Sequence, residues 1–320
     1  MDIETTAEPE LTRAEGLWFE DCGLVIQAEL TLFRVSRDFL AGRSPVFKDM
    51  LSLPPPKDEE MMHGCPFVRL PDSAEDITAF LKALIYYEFF EPFPAPTTIT
   101  ILASVLRMSH KYDVVGLRKR ALMHLSSSHP TTLQGWEHGG AELLKSLDSL
   151  HSRRMYVGII PLARQISADW ILPTAFYWVC KYSDEGDIVN GDTLTPSEKT
   201  SCFVAVRRLE TTHANHILRF LSSEVTGCEA TDPDDCVRSR VEQRRYADEW
   251  RDYEPERPAI LPLELWEASE WERLDVCASC LRTMKEEHAA AKQELWDELP
   301  SLFGLPDWTT LQKMEADAFK

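Results

Sequence analysis

Phe33 to Leu51, FRVSRDFLAGRSPVFKDML, constrains this chain more than any other stretch. It leaves strand-like alternation at Ser36, then offers two short helices hinged at Ser44-Pro45, a capping residue followed by a proline suited to a first helical position. Phe39 and Leu40 on one piece, and Val46, Phe47, Met50 and Leu51 on the other, are apolar faces on segments too short to be stable alone. Such pieces hold only by packing on a larger body, and the flanking sequence says which.

Upstream, GLVIQAELTLFRVS predicts two short strands with a turn near Ala28-Glu29, and CPFVRL from Cys65 predicts another. Between them, SLPPPKDEEMMHG is a loop, because three prolines and a charge run forbid regular structure. Ser73 and Asp76 form a capping-box pattern ahead of a helix striped with Ile77, Phe80, Leu81, Leu84 and Ile85. Beyond the proline-rich EPFPAP, one helix from about Thr97 carries Ile101, Leu102, Val105, Leu106 and Tyr112. The next carries Val114, Leu117, Ala121 and Leu125. Residues 17–128 thus read as an α+β unit: short strands, a helical hairpin, a strand, then three helices. The acidic, polar residues 1–16 are expected to be a disordered tail.

After SSSHPTT the pattern turns mostly α-helical. Residues 129–222 suggest helices near 132–152, 160–169 and 173–182. A further one starts at Thr195-Pro196-Ser197-Glu198, where cap, proline and box glutamate coincide. Residues 223–261 read as a charged loop region with one polar helix, and 262–320 as a C-terminal helical region broken by Trp-rich turns.

Lysine and arginine total 34 against 53 acidic residues, a net charge of −19, which argues against direct nucleic-acid binding. The N-terminus lacks a basic and then apolar leader, and no run of apolar residues is long enough for a membrane span. A cytoplasmic or nuclear address is expected, with the eight cysteines present as thiols or metal ligands. Cys277 and Cys280 form a C-x2-C pair, and Cys228 and Cys236 a wider C-x7-C pair; together they suit a tetrathiolate structural zinc site. Such a site carries a net charge of −2, and Arg238, Arg240 and Arg282 lie near enough in sequence to offset it. Against this stand the wide first spacing and the acidic EATDPDD within it. The alternative is that Cys277 and Cys280 are buried thiols one turn apart. His213 and His216 put two imidazoles on one helical turn, with no third ligand at a matching spacing. G-x-S-x-G, H-E-x-x-H, Walker and G-x-G-x-x-G signatures are missing, so no enzymatic activity is expected.

Residues 17–128 resemble a BTB/POZ domain. The resemblance is carried by Asp21 before LVIQ, by FRVSRDFLAGRSPVFKDML, by FVRLPD and FLKALIYYEFF, and by LRMSHKYDVVGLRKRALMHL. Ser36 departs from the family's usual histidine. The remainder resembles, more loosely, the C-terminal half of fungal BTB proteins. The resemblance implies a self-associating interaction module. Phe33, Phe39 and Leu40 would lie near a dimer seam, or else in ordinary intrachain core, and Asp21 and Arg37 would form the charged pair beneath the dimer groove. It also implies an adaptor for a cullin ubiquitin ligase, through the hydrophobic-x-Glu pattern that Tyr86 to Glu88 and Phe89 to Glu91 both satisfy, with an unknown protein substrate. Two alternative functions stand beside it: a transcriptional or chromatin co-factor recruited by protein contacts, and a structural scaffold with a zinc-stabilised C-terminal region.

Overall fold

The computed structural model describes residues 10–53, 61–140, 153–183, 185–224, 227–252 and 261–320. The protein is mixed α+β, and its described residues divide into two compact units with the boundary between Ser128 and His129.

The first unit is built on a five-stranded sheet in the order β1-β3-β2-β5-β4: β1 Thr12–Trp18, β2 Leu24–Ala28, β3 Thr31–Val35, β4 Met61–Met62 and β5 Cys65–Leu70. The β2–β3 hairpin is antiparallel and β5 runs parallel to β2. Glu29 turns the hairpin with a positive φ of 50°, and its carboxylate accepts a 3.0 Å bond from the Ala74 amide, satisfying a free donor at the start of the next helix. Leu24, Val25, Ile26 and Ala28 are all buried, as befits a central strand covered on both faces.

Helices α1 Arg37–Arg43 and α2 Pro45–Ser52 are the hinged pair. Ser36 caps the first, and Ser44 caps the second by accepting from the Phe47 amide at 3.0 Å. The buried Ser44 hydroxyl also donates to the Tyr112 carbonyl at 2.5 Å, so one side chain serves two elements. Ser44→Ala is therefore expected to cost about 2 kcal/mol, a lost cap plus a buried carbonyl left without its donor, read as a lowered urea midpoint. Phe47 stacks on Tyr112 at 4.5 Å, which places α2 against the helical layer made by α3 Ala74–Ile85, α4 Ile99–Lys111 and α5 Val115–Ser128. Ser73 caps α3, but the Asp76 carboxylate completes no box. It turns instead to Arg107 on α4 in a two-pronged pair at 2.6 and 3.1 Å. Burial pushes that carboxyl up, and hydrogen bonds from Arg107, Ser104 and Ser73 together with the Arg107 charge outweigh it, leaving its pKa below the ordinary value.

Several expectations are corrected here. Residues 12–16 belong to strand β1, so the disordered tail cannot reach Gly16; residues 1–9 lie outside the described residues. Phe33 and Leu40 are buried within the unit and have no surface left for a second copy, whereas Phe39 is half-buried beneath the Arg43 guanidinium. Asp21 and Arg37 are both exposed and form no pair. Arg37 donates to the Leu51 carbonyl instead.

The second unit is helical: α6 Arg153–Gln165, α7 Leu172–Tyr182, α8 Pro196–Arg208, α9 Pro233–Asp252, α10 Ala278–Leu302 and α11 Trp308–Ala318, with shorter turns between. Every residue from Leu172 to Cys180 is buried, so α7 is the central helix. Trp136 stacks on Trp178 at 4.7 Å and Trp296 stacks on Trp308 at 5.0 Å, forming an aromatic core around it. The Thr195–Glu198 box at the start of α8 is complete in both directions. The expected helix at 132–152 ends early where described, since Gly139 takes a φ of 114°; residues 141–152 lie outside the description. The helix expected at 160–169 instead begins upstream and runs through Pro161. Within the charged region expected over 223–261 to hold one polar helix, that helix is α9, 20 residues over 233–252; residues 225–226 and 253–260 lie outside the description.

Candidate metal centre

Cys228, Cys236, Cys277 and Cys280 come together in the second unit, every sulfur within 4.8 Å of every other. The fold assembles them from three places. Cys228 follows Gly227, whose φ of 80° turns the chain. Cys236 lies in the first turns of α9, and Cys277 caps α10 with Cys280 one turn inside it. Two helix N-terminal turns therefore bring ligands to the cluster, and their positive dipole ends favour thiolate.

Cys228 Sγ is 3.8 Å from both Cys236 Sγ and Cys277 Sγ. These are not disulfides, which need about 2.05 Å. Four sulfurs about 2.3 Å from a tetrahedral centre are about 3.8 Å apart along each edge, so the spacing fits a metal-sized hole between the thiols. Cys236 and Cys280 are 3% and 1% exposed. The Cys277 amide donates to Cys236 Sγ at 3.3 Å, an outer bond of the kind that orients a ligand sulfur.

The thiols are held unequally. The main-chain amide of Cys280 and then that of Glu229 stabilise the Cys277 thiolate and bring its pKa to about 6. Burial pushes Cys236 up, and burial and then the neighbouring Cys277 push Cys280 up. Four sulfurs this close cannot all ionise without a cation to share the charge. With that cation, the donor set is the all-thiolate tetrahedron of structural zinc sites.

The acidic run inside the first pair does not obstruct the site. Glu229, Asp232, Asp234 and Asp235 are exposed; Asp232 accepts from the Asp234 amide, and Asp235 pairs with Arg238. Of the three arginines expected to offset the charge, Arg238 and Arg282 are exposed. Arg240 is 5% exposed and lies with Cys228, Cys236 and Cys280 in the wall of a groove of about 450 Å³. Sequence reading grouped Arg240 with its neighbours by proximity alone. Its position four residues after Cys236, on the same helical face, was the signal that sets it apart.

His213 and His216 do not converge on a site: His216 bonds Glu294 at 2.6 Å, and His213 faces Glu298 at 3.8 Å. His288, buried inside α10, bonds the Leu265 carbonyl and stands outside the thiol group. Cys180 and Cys202 are buried core residues, the Cys180 thiol facing the Cys202 carbonyl.

In the first unit, the residues expected to contact a cullin cluster where α3 ends. Tyr87 to Phe89 form a single 3-10 turn. Tyr87 is 63% exposed, Glu88 and Glu91 are exposed, and Phe89 is half-buried with the Lys82 ammonium over its ring. Tyr86 is tied inward, its hydroxyl donating to the Gly16 carbonyl at 2.6 Å, and the intervening Phe90 is buried against His124. His124 Nε2 in turn bonds the Glu91 carbonyl at 2.9 Å, fixing the loop that carries Glu91. Among the described residues, no helix is long and apolar enough to cross a membrane.

No family model, curated protein or solved structure matches the chain.

Proposed function

We propose that the protein is a non-catalytic interaction module. A BTB/POZ-like first unit self-associates and engages a cullin ubiquitin ligase, and a helical second unit, stabilised by zinc on Cys228, Cys236, Cys277 and Cys280, carries the protein substrate. The observation that carries this reading is the order of elements in the first unit: an antiparallel β2–β3 hairpin, the short α1–α2 pair, β5 parallel to β2, then α3, α4 and α5. That order, together with the motifs along it, is what the family resemblance implies. Self-association would use Phe39 and the exposed residues of α1, since Phe33 and Leu40 are committed to the interior. The working compartment is then the cytoplasm or nucleus.

The contact with a cullin falls on the turn after α3, where Tyr87, Glu88 and Glu91 are the accessible side chains. Tyr87→Ala with Glu88→Ala is expected to weaken binding to a purified cullin at least tenfold in a titration, as removal of one interface anchor does. The fold should survive, because neither side chain is buried. Equal binding by wild type and variant, or no cullin binding by either, would remove the adaptor reading.

A further inference from the structure

The geometry points to the four-thiol site as a zinc clasp for one element, α9, whose docking onto the second unit depends on the metal. This rests on the zinc reading of the site and goes beyond it by stating what the ion holds.

Helix α9 is unusual in having no apolar stripe. Of its described side chains only Cys236 and Arg240 are buried, while its two valines, Val237 and Val241, are 51% and 61% exposed. A surface helix normally docks through a continuous apolar face. This one docks through polar groups. Arg240 donates to the carbonyls of Phe220, at 3.2 Å, and Ser223. Arg244 donates to Asn215 Oδ1 at 2.8 Å and to the Leu218 carbonyl at 3.4 Å. Ser239 Oγ accepts from the Asp275 amide at 2.9 Å. The arginines thus satisfy carbonyls left over at the end of the 3-10 turn Leu218–Leu221.

The solvent-accessible contacts of Ser239 and Arg244 contribute little net attraction, since water competes for them, and the buried Arg240 bonds largely offset the desolvation of that charge. Isolated, the helix is marginal, because most helical stability in proteins comes from packing. Its ion pairs Arg244–Asp248 and Arg245–Glu249 place the arginine on the N-terminal side, the weaker orientation. What remains is Cys236, which sits at the start of this face and shares its site with Cys277 and Cys280 of α10. A metal there ties α9 to α10. Arg240, one turn on, brings a buried positive charge toward a group that is net negative when loaded. Cys228 adds the preceding loop to the same tie.

The core of the unit does not pass through this site. Helix α7 and the Trp136, Trp178, Trp296 and Trp308 stack form its centre, and none of these is a ligand or a neighbour of one in the chain. Zinc removal should therefore release α9 and leave α7 in place.

Hydrogen exchange of the full chain, before and after a zinc chelator and again after zinc is returned, tests this. Amides of residues 240–248 are expected to rise, on chelation, to within about tenfold of unstructured rates and to recover with zinc, while those of 175–182 stay protected. If the purified chain carries no zinc and takes none up, the zinc reading itself falls, and the clasp with it. If zinc binds and leaves but residues 240–248 remain protected, zinc binding stands and the clasp is overturned. Loss of protection in both segments overturns it too, since the ion would then hold the whole unit. Arg240→Gln adds a readout that a bystander would not move: residues 240–248 should exchange faster at full zinc occupancy.

Discussion

The 320-residue chain purified without chelators is expected to carry about one zinc ion, and its Cys280→Ala variant to carry none. The argument is geometric and energetic together. Cys280 is fixed within α10 at 1% exposure, so no neighbouring side chain from solvent can easily take its place. Three remaining thiols leave an open tetrahedron whose sulfurs must still give up protons, and burial already resists that for Cys236. A ligand present at a thousand times its dissociation constant stabilises the folded state by about 4 kcal/mol, so loss of the ion should lower the second unit's stability by at least that much. For a unit of this size that is a drop of roughly 10 °C in Tm. Cys180→Ala is the control. It removes a buried thiol from the core, should cost about 1 kcal/mol, and should leave the metal content unchanged. Metal analysis with parallel thermal melts checks both; a Cys280→Ala protein with full zinc and an unchanged Tm would end the metal reading.

The site shows where a sequence speaks and where it stays silent. Cys277 and Cys280 are legible because two ligands one turn apart at a helix start form a local pattern. Cys228 and Cys236 have no such spacing, and what joins them to the other pair is a chain turn at Gly227 and the direction of α9, which no local pattern records. The acidic residues between them look obstructive in sequence because charge is visible there and orientation is not.

Helix α9 itself escapes periodicity for a physical reason. Periodicity detects buried apolar faces, and this helix buries a cysteine and an arginine. Its start, Asp232-Pro233-Asp234-Asp235, with a cap, a proline and first-turn acids, was the available clue. Strand β1 is hidden similarly: TRAEGLW turns only Ala14 and Leu17 inward, and the positive φ of Gly16 accompanies an irregular register against β3. Charged residues along such an outer strand also guard it against pairing with another chain. Local capping, by contrast, was readable, and Ser36, Ser44, Ser73 and Thr195 all cap the helices they precede. The positions implied by a dimer seam were not separable from core, because Phe33 and Leu40 are the residue types either environment selects.

Acidification from pH 7.5 to 5 is expected to cost the second unit about 2 kcal/mol through His288 alone. This imidazole is buried in α10 among Phe220, Trp271 and the Leu265 carbonyl. Burial first, and then the Lys292 ammonium, lower its pKa to about 4, opposed by its bond to the Leu265 carbonyl and by Glu137, which pairs with Lys292 at 2.6 Å. Lys285, over the Trp271 ring, is a further cation on that side. The folded pKa lies below the ordinary value of about 6.5, so the unfolded chain takes up a proton at a pH where the folded protein does not. The neutral form's advantage is complete above about pH 6.5 and is lost progressively as pH falls toward 4. His288→Gln keeps an amide able to donate to the Leu265 carbonyl and has nothing to titrate. Any cost of the substitution itself is the same at every pH, and the loss between pH 7.5 and 5 should be smaller than in wild type by the same ~2 kcal/mol. Zinc loss also destabilises in acid, since protons compete for the thiolates, and that contribution is common to both proteins when zinc is held in excess. The difference between the two slopes therefore isolates the histidine, and urea midpoints at pH 7.5 and 5 that shift equally in both proteins would show that the buried ring carries no proton linkage.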